Sequence, residues 1–170
     1  MSMLRLDLAR LERVSGERLE AAIPADSPLW EDTHLSFGSP VSVAFEARAL
    51  AEGGVLVEGT LSGIREAECR RCLGEVEEPF ERAFAFYFVP HTADGVNDPE
   101  VRLLPESGLE LDLEPDVREE LVFVLSQYVV CRDGCRGLCP SCGVDLNSET
   151  CDCENSEPDP RWEALRTIRD

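Results

Sequence analysis

The residues of this chain whose type and spacing can do chemistry are its eight cysteines. Six of them crowd into Val129 to Cys153, VVCRDGCRGLCPSCGVDLNSETCDC. The sharpest piece is Leu138-Cys139-Pro140-Ser141-Cys142-Gly143. Two thiolates separated by two residues reach one metal ion from a tight turn, and the glycine that follows tolerates the positive φ that turns backbone N–H groups toward sulfur. A stretch so rich in Gly and so poor in large apolar residues cannot build its own hydrophobic core, and a metal ion is the simplest group to tie it down. Cys131, Cys135, Cys139, Cys142, Cys151 and Cys153 are therefore candidate ligands, four to a site. One partition uses Cys131, Cys135, Cys139 and Cys142; another pairs the Cys139/Cys142 turn with Cys151 or Cys153, as a zinc ribbon does. In an extended chain Cys151 and Cys153 point to opposite faces, so both reach one ion only through a local bend. Cys69 and Cys72 form a further C-x-x-C, and eight thiolates would fill two four-cysteine sites.

Disulfides are the competing chemistry. Met1 to Leu11, MSMLRLDLARL, is too charged for the apolar segment of a signal peptide. No apolar run approaches the roughly 20 residues of a membrane-spanning helix. The expected compartment is the reducing cytoplasm, where closely spaced cysteines read as metal ligands. An all-cysteine set is the closed, structural type of zinc site, whereas catalytic zinc keeps a position open. The C-P-S-C-G turn also occurs around rubredoxin-type iron, but a single such turn without an aromatic shell favours zinc.

An enzyme would have to name its catalytic groups. The two histidines, His34 and His91, each stand alone in loop-like sequence, and there is no G-x-S-x-G, no phosphate-binding Gly loop with Lys and no H-E-x-x-H. The chain reads as non-enzymatic. The alternative is a thiol-redox or metal-dependent enzyme using Cys69 and Cys72, with Arg70 and Arg71 lowering the thiol pKa. Against it, the pair does not open a helix in a βαβ context.

The formal charge is −19, from 35 acidic residues against 16 basic ones, all of the latter Arg. Such a balance argues against broad binding to a phosphate backbone and allows an acidic surface to dock on a basic protein. Arg65, Arg70 and Arg71 make the best local basic spot, and Glu114 and Asp116 open an acidic helix. These five are the candidate partner contacts.

The cysteines need a scaffold, and 170 residues with a hydrophobic fraction of 43% suffice for one domain and a small appendage. Leu4, Leu6 and Leu8 alternate as a half-buried strand, and Val14 to Asp32 reads as connection. A meander follows: Val41, Val43, Phe45 and Ala47 share one face, Val55, Val57 and Leu61 the next, and Phe84, Phe86 and Phe88 a third. Gly59 and Gly63 suggest bends or bulges that curl the sheet. His91 to Gly108 reads as a loop. A helix over about 114–127 has Pro115 in its first turn and a stripe of Val117, Leu121, Val124, Leu125 and Tyr128. Asp159-Pro160 opens a short terminal helix. The fold expected is α+β: a curled, barrel-like antiparallel sheet with one packed helix over residues 1–128, and a Cys-rich metal-binding module over 129–170.

C-R-R-C-L-G at 69 to 74, Leu111-Asp112-Leu113, C-x3-C-x-G-L-C-P-x-C-G-x-D-L-N at 131 to 147, Cys151-Asp152-Cys153 and Asp159-Pro160-Arg161 together resemble the YceD family, the large ribosomal RNA subunit accumulation proteins. The resemblance covers the last two thirds of the chain in identifiable motifs. It implies a bacterial or plastid factor for accumulation or maturation of large-subunit (23S) ribosomal RNA, without established enzymatic activity. It fits binding to a pre-ribosomal particle or a ribosomal protein, with RNA touched locally. A zinc-stabilised adaptor outside the ribosome is the third reading.

Overall fold

A computed structural model describes residues 3–14, 16–91, 101–106, 109–153 and 161. The chain divides into two compact units, the first made of residues 1–67 and 76–127, the second of residues 68–75 and 128–170. The Cys69–Cys72 segment thus groups with the C-terminal cysteines. The terminal helix expected from Asp159-Pro160 lies outside the described residues apart from Arg161.

The first unit is built on alternation. Leu6 is buried between exposed Arg5 and Asp7 in β1 (Arg5–Asp7), which pairs antiparallel with β8 (Glu110–Asp112). Asp7 then accepts a hydrogen bond from the Arg10 amide, 2.9 Å, and caps the single turn α1 (Leu8–Leu11). The main sheet contains β2 (Glu17–Ile23), β4 (Val41–Ala49), β5 (Val55–Glu68), β6 (Glu75–Val89) and β7 (Val101–Leu103) in that order, with β3 (Ser36–Phe37) pairing β5. Val41, Val43, Phe45 and Ala47 on β4, Val57 and Leu61 on β5, and Phe84, Phe86 and Phe88 on β6 all enter one hydrophobic core. The residues named from period-2 alternation on β4, β5 and β6 are buried, whereas Leu8, named with Leu4 and Leu6, opens α1 and is only partly buried.

Three expectations are corrected. The sheet is not a curled antiparallel barrel. Its order runs as an open path from β2 to β7, and β7 lies parallel to β6, so the sheet is mixed. The fold is mostly β, with one helix longer than a single turn among the described residues. Second, Gly59 makes no bulge: the β4–β5 register is unbroken from Ser42↔Ser62 to Ala49↔Val55. Gly59 lies opposite Phe45, and a Cβ there would stand 2.6 Å from the Phe45 Cβ, so the glycine makes room for a cross-strand neighbour. Third, two strands occupy segments read as connection: β2 within 14–32 and β7 within 91–108.

The helix α2 (Glu114–Val124) starts as expected, with Pro115 and two acids in its first turn. Val117 and Leu121 are buried, and Leu125 follows them into the core. It ends earlier than expected because Leu125 adopts extended backbone angles, φ −84° and ψ 103°. Tyr128 therefore leaves the helical phase and is 82% exposed instead of core. Two side chains, His34 before β3 and Arg65 on β5, meet the carbonyls left open at this end. His34 Nε2 donates to the Leu125 oxygen at 2.8 Å, and Arg65 Nη2 donates to the Ser126 oxygen at 2.6 Å. No described helix is long and apolar enough to cross a membrane.

Candidate metal centre

Each of the two C-x-x-C doublets sits on a tight turn. At residues 69–74, Cys69 N–H bonds the Gly74 carbonyl at 2.8 Å and Leu73 N–H bonds the Cys69 carbonyl at 2.9 Å. Leu73 takes the left-handed conformation, φ 59°, that closes such a turn. At 139–143, Gly143 N–H bonds the Cys139 carbonyl at 2.9 Å, and Gly143 has φ 75°. The glycine after the second cysteine is needed for its backbone, as its position in the sequence suggested.

The eight cysteines, none of them in a disulfide, fall into two groups of four: Cys69, Cys72, Cys131 and Cys135 in one, Cys139, Cys142, Cys151 and Cys153 in the other. Within each group the sulfurs lie within 4.8 Å of one another. A tetrahedral ion with metal–sulfur bonds of about 2.3 Å has sulfur–sulfur edges of about 3.8 Å. Cys69 Sγ stands 3.9 Å from Cys135 Sγ, and Cys72 Sγ stands 3.8 Å from Cys131 Sγ. Both distances are those of a tetrahedral edge and well beyond a disulfide bond. The compact set of Cys131, Cys135, Cys139 and Cys142 is not what the structure assembles. Instead the C-x-x-C at 69/72 meets the C-x3-C at 131/135, and the C-x-x-C at 139/142 meets the C-x-C at 151/153, which bends so that both sulfurs reach one group.

Backbone amides point at these sulfurs as they do at metal-bound thiolates. Cys131 N–H and Arg71 N–H approach Cys69 Sγ at 3.4 and 3.5 Å, and Ser141 N–H approaches Cys139 Sγ at 3.4 Å. The Cys69 thiol is lowered to about 6 by the amides of Cys131, Cys72 and Arg71, and Cys139 is lowered to about 6 by those of Cys142 and Ser141. The opposite holds elsewhere in each group. Cys131 is pushed up to about 12, chiefly by Cys135, and Cys153 to about 12, chiefly by Cys142, with burial adding to both. Four sulfurs packed this closely cannot all ionise against one another. A cation between them removes the conflict.

The five residues expected at a partner surface fare differently. Arg65 is the correction: it is 2% exposed, ties β5 to Ser126 and has Glu78 3.8 Å away, so its side chain is not at the surface. Arg71 is exposed, but its Nη1 donates to the carbonyls of Asp133 and Cys135, bracing the first tetrad. Arg70 is exposed, its guanidinium 5.8 Å from the ring centroid of Tyr128. Glu114 accepts a hydrogen bond from the Met3 amide, and Asp116 is held by Arg102 at 2.6 Å. Burial raises the Asp116 pKa, against the pull of Arg102. Of the histidines, His34 caps the end of α2 and His91 stands 3.9 Å from Glu106. Asn147, which sequence reasoning passed over, bonds the sulfur of Cys135. Its place in the D-L-N run just after the C-P-S-C-G turn was the available sign.

Fold and sulfur geometry define a class: a mostly β protein bearing a module of two four-cysteine clusters, each of which could hold a metal ion. The chain belongs to the YceD family. The family described as "Large ribosomal RNA subunit accumulation protein YceD" matches residues 57–169, a span containing all eight cysteines. An uncharacterized protein of Mycobacterium tuberculosis is 33% identical over 172 residues, covering 96% of this chain and 80% of that protein. The uncharacterized protein YlbN of Bacillus subtilis is 28% identical, covering 76% of this chain and 74% of its own length. A chloroplastic YCED homolog of Arabidopsis thaliana, named as a large ribosomal RNA subunit accumulation protein, is 29% identical over 66 residues, which are 39% of this chain and 21% of that protein. No solved structure matches. The family is described by the accumulation of an RNA and not by a reaction.

Proposed function

We propose that this protein is a non-catalytic, cytoplasmic factor for the accumulation or maturation of large-subunit ribosomal RNA, with two structural zinc ions in its cysteine module. The observation that carries this reading is the family match over the span that holds both tetrads. Zinc is favoured because both sets consist of four cysteines, which suits a tetrahedral ion that has no redox role and needs no open position. A redox role for Cys69 and Cys72 has less support. Cys69 is completely buried, and thiol exchange requires an accessible sulfur. The contact face is the 69–74 turn, where Arg70 and Leu73 are exposed. The partner is a pre-ribosomal particle or a basic ribosomal protein, for which a chain of net charge −19 is suited by charge. Depletion of the protein in its host should lower large-subunit rRNA relative to small-subunit rRNA, read by RNA electrophoresis. An unchanged ratio would refute the proposal. Crosslinking in cells, with identification of bound RNA and protein, then names the direct partner.

A further inference from the structure

We propose that Asn147 couples the two cysteine tetrads, so that filling the second raises the metal affinity of the first. The inference rests on the reading of both tetrads as metal sites. Asn147 belongs to the hairpin that carries the Cys139/Cys142 turn. That hairpin is closed by Cys139 N–H to the Val144 carbonyl at 2.8 Å, Leu146 N–H to the Gly137 carbonyl at 2.9 Å, and the bridge between Leu138 and Asp145. Asp145 then fixes the side chain: its Oδ1 accepts from the Asn147 backbone N–H at 2.9 Å and from Nδ2 at 2.6 Å. From this position Nδ2 also donates to Cys135 Sγ at 3.5 Å, a sulfur of the other tetrad. Oδ1 accepts from the Arg136 N–H at 2.9 Å and from Arg132 Nη2 at 3.0 Å.

An asparagine amide offers two donors and two acceptor positions, and here all four are used. The network also sets its orientation. Turned by half a rotation, the amide oxygen would face the Asp145 carboxylate and the Cys135 sulfur, both of them acceptors. One side chain, placed by the second tetrad's hairpin, thus holds the loop that supplies Cys131 and Cys135 to the first. Groups that hydrogen-bond a metal ligand change metal affinity by about 10- to 100-fold when removed. Because linkage is reciprocal, the first tetrad must favour filling of the second by the same factor.

The test uses the full chain loaded with cadmium, whose NMR resonances distinguish the two tetrads, in competition with a chelator. Disabling the second tetrad with Cys139→Ser and Cys142→Ser should weaken the first by about 10- to 100-fold. Asn147→Ala, with the second tetrad intact, should weaken the first to a similar extent. Adding the two serines to Asn147→Ala should cost the first tetrad little more. Unchanged first-tetrad affinity in Asn147→Ala, or losses that simply multiply, would overturn the coupling. A measurement on the unaltered chain guards against misfolding of the variants. A scalar coupling should pass from one cadmium nucleus through the N–H···S bond to an Asn147 side-chain amide proton, and its absence in a two-cadmium protein overturns the contact. Two ions bound independently would sink the coupling alone, while a wild-type chain that takes up no metal sinks the metal-site reading as well.

Discussion

Three glycines of the cysteine module can be replaced by alanine in a series that separates backbone strain from steric contact. Gly134 has no positive φ, and an added Cβ would meet nothing within 4 Å. Its replacement should be neutral or stabilise by up to about 1 kcal/mol, through lower entropy of the unfolded chain. Gly143 has φ 75° with the same open space, so only the left-handed backbone is penalised, by about 1–2 kcal/mol. Gly137 has φ 73°, and its added Cβ would also stand 2.8 Å from the Arg71 carbonyl oxygen. That oxygen accepts the Leu138 N–H at 2.9 Å, the bond joining the 69–74 turn to the hairpin. Relief of the clash sacrifices this bond and disturbs the Arg71 bonds to Asp133 and Cys135, each worth about 1 kcal/mol. The total for Gly137→Ala is about 2–4 kcal/mol. If the module folds only with metal, the cost appears in metal affinity. At about 1.4 kcal/mol per tenfold, equilibrium competition with a chelator should then show roughly 30- to 800-fold weaker binding for Gly137→Ala, roughly 5- to 30-fold for Gly143→Ala, and none for Gly134→Ala. Equal behaviour of Gly137→Ala and Gly134→Ala would refute the packing described between the two turns.

Metal removal by a strong chelator should strip hydrogen-exchange protection from the amides of Leu138, Cys139 and Leu146 while those of Val43, Phe45 and Val57 keep theirs, since the first unit has its own core. Leu121→Ala, at a fully buried position of α2, should cost about 3–5 kcal/mol in denaturant unfolding of the first unit and leave metal stoichiometry unchanged. Gly59→Ala should lower the thermal midpoint by several degrees, because the new Cβ collides with the backbone oxygen of Ala44 and with Phe45, neither of which can move without parting β4 from β5.

What the sequence made legible follows from the range of the interactions involved. Val41, Val43, Phe45 and Ala47 announce β4 because alternation is a local property, and Pro115 with Val117 and Leu121 announces α2 for the same reason. β7 pairs with β6 in parallel across a connection of more than ten residues, and nothing in Val101-Arg102-Leu103 alone states that partnership. β2 was hidden by modest side chains: Leu19 and Ala21 alternate with charged or small neighbours beside a more conspicuous Pro24. Arg65 looked like a surface cation because charge is the default sign of exposure. Only the fold places the Ser126 carbonyl where its guanidinium can bond it. The cysteines were legible as candidate ligands from their spacing. Their division was not, since Cys69 meets Cys135 across 66 positions and spacing rules reach only a few residues.

The most direct measurement of the central claim is native mass spectrometry of the purified chain, with elemental analysis of the same sample. The account predicts two zinc ions per chain, both lost together with the fold of the cysteine module when the pH falls far enough to protonate the thiolates. A chain that carries no metal yet keeps the protected amides of residues 138–146 would contradict it.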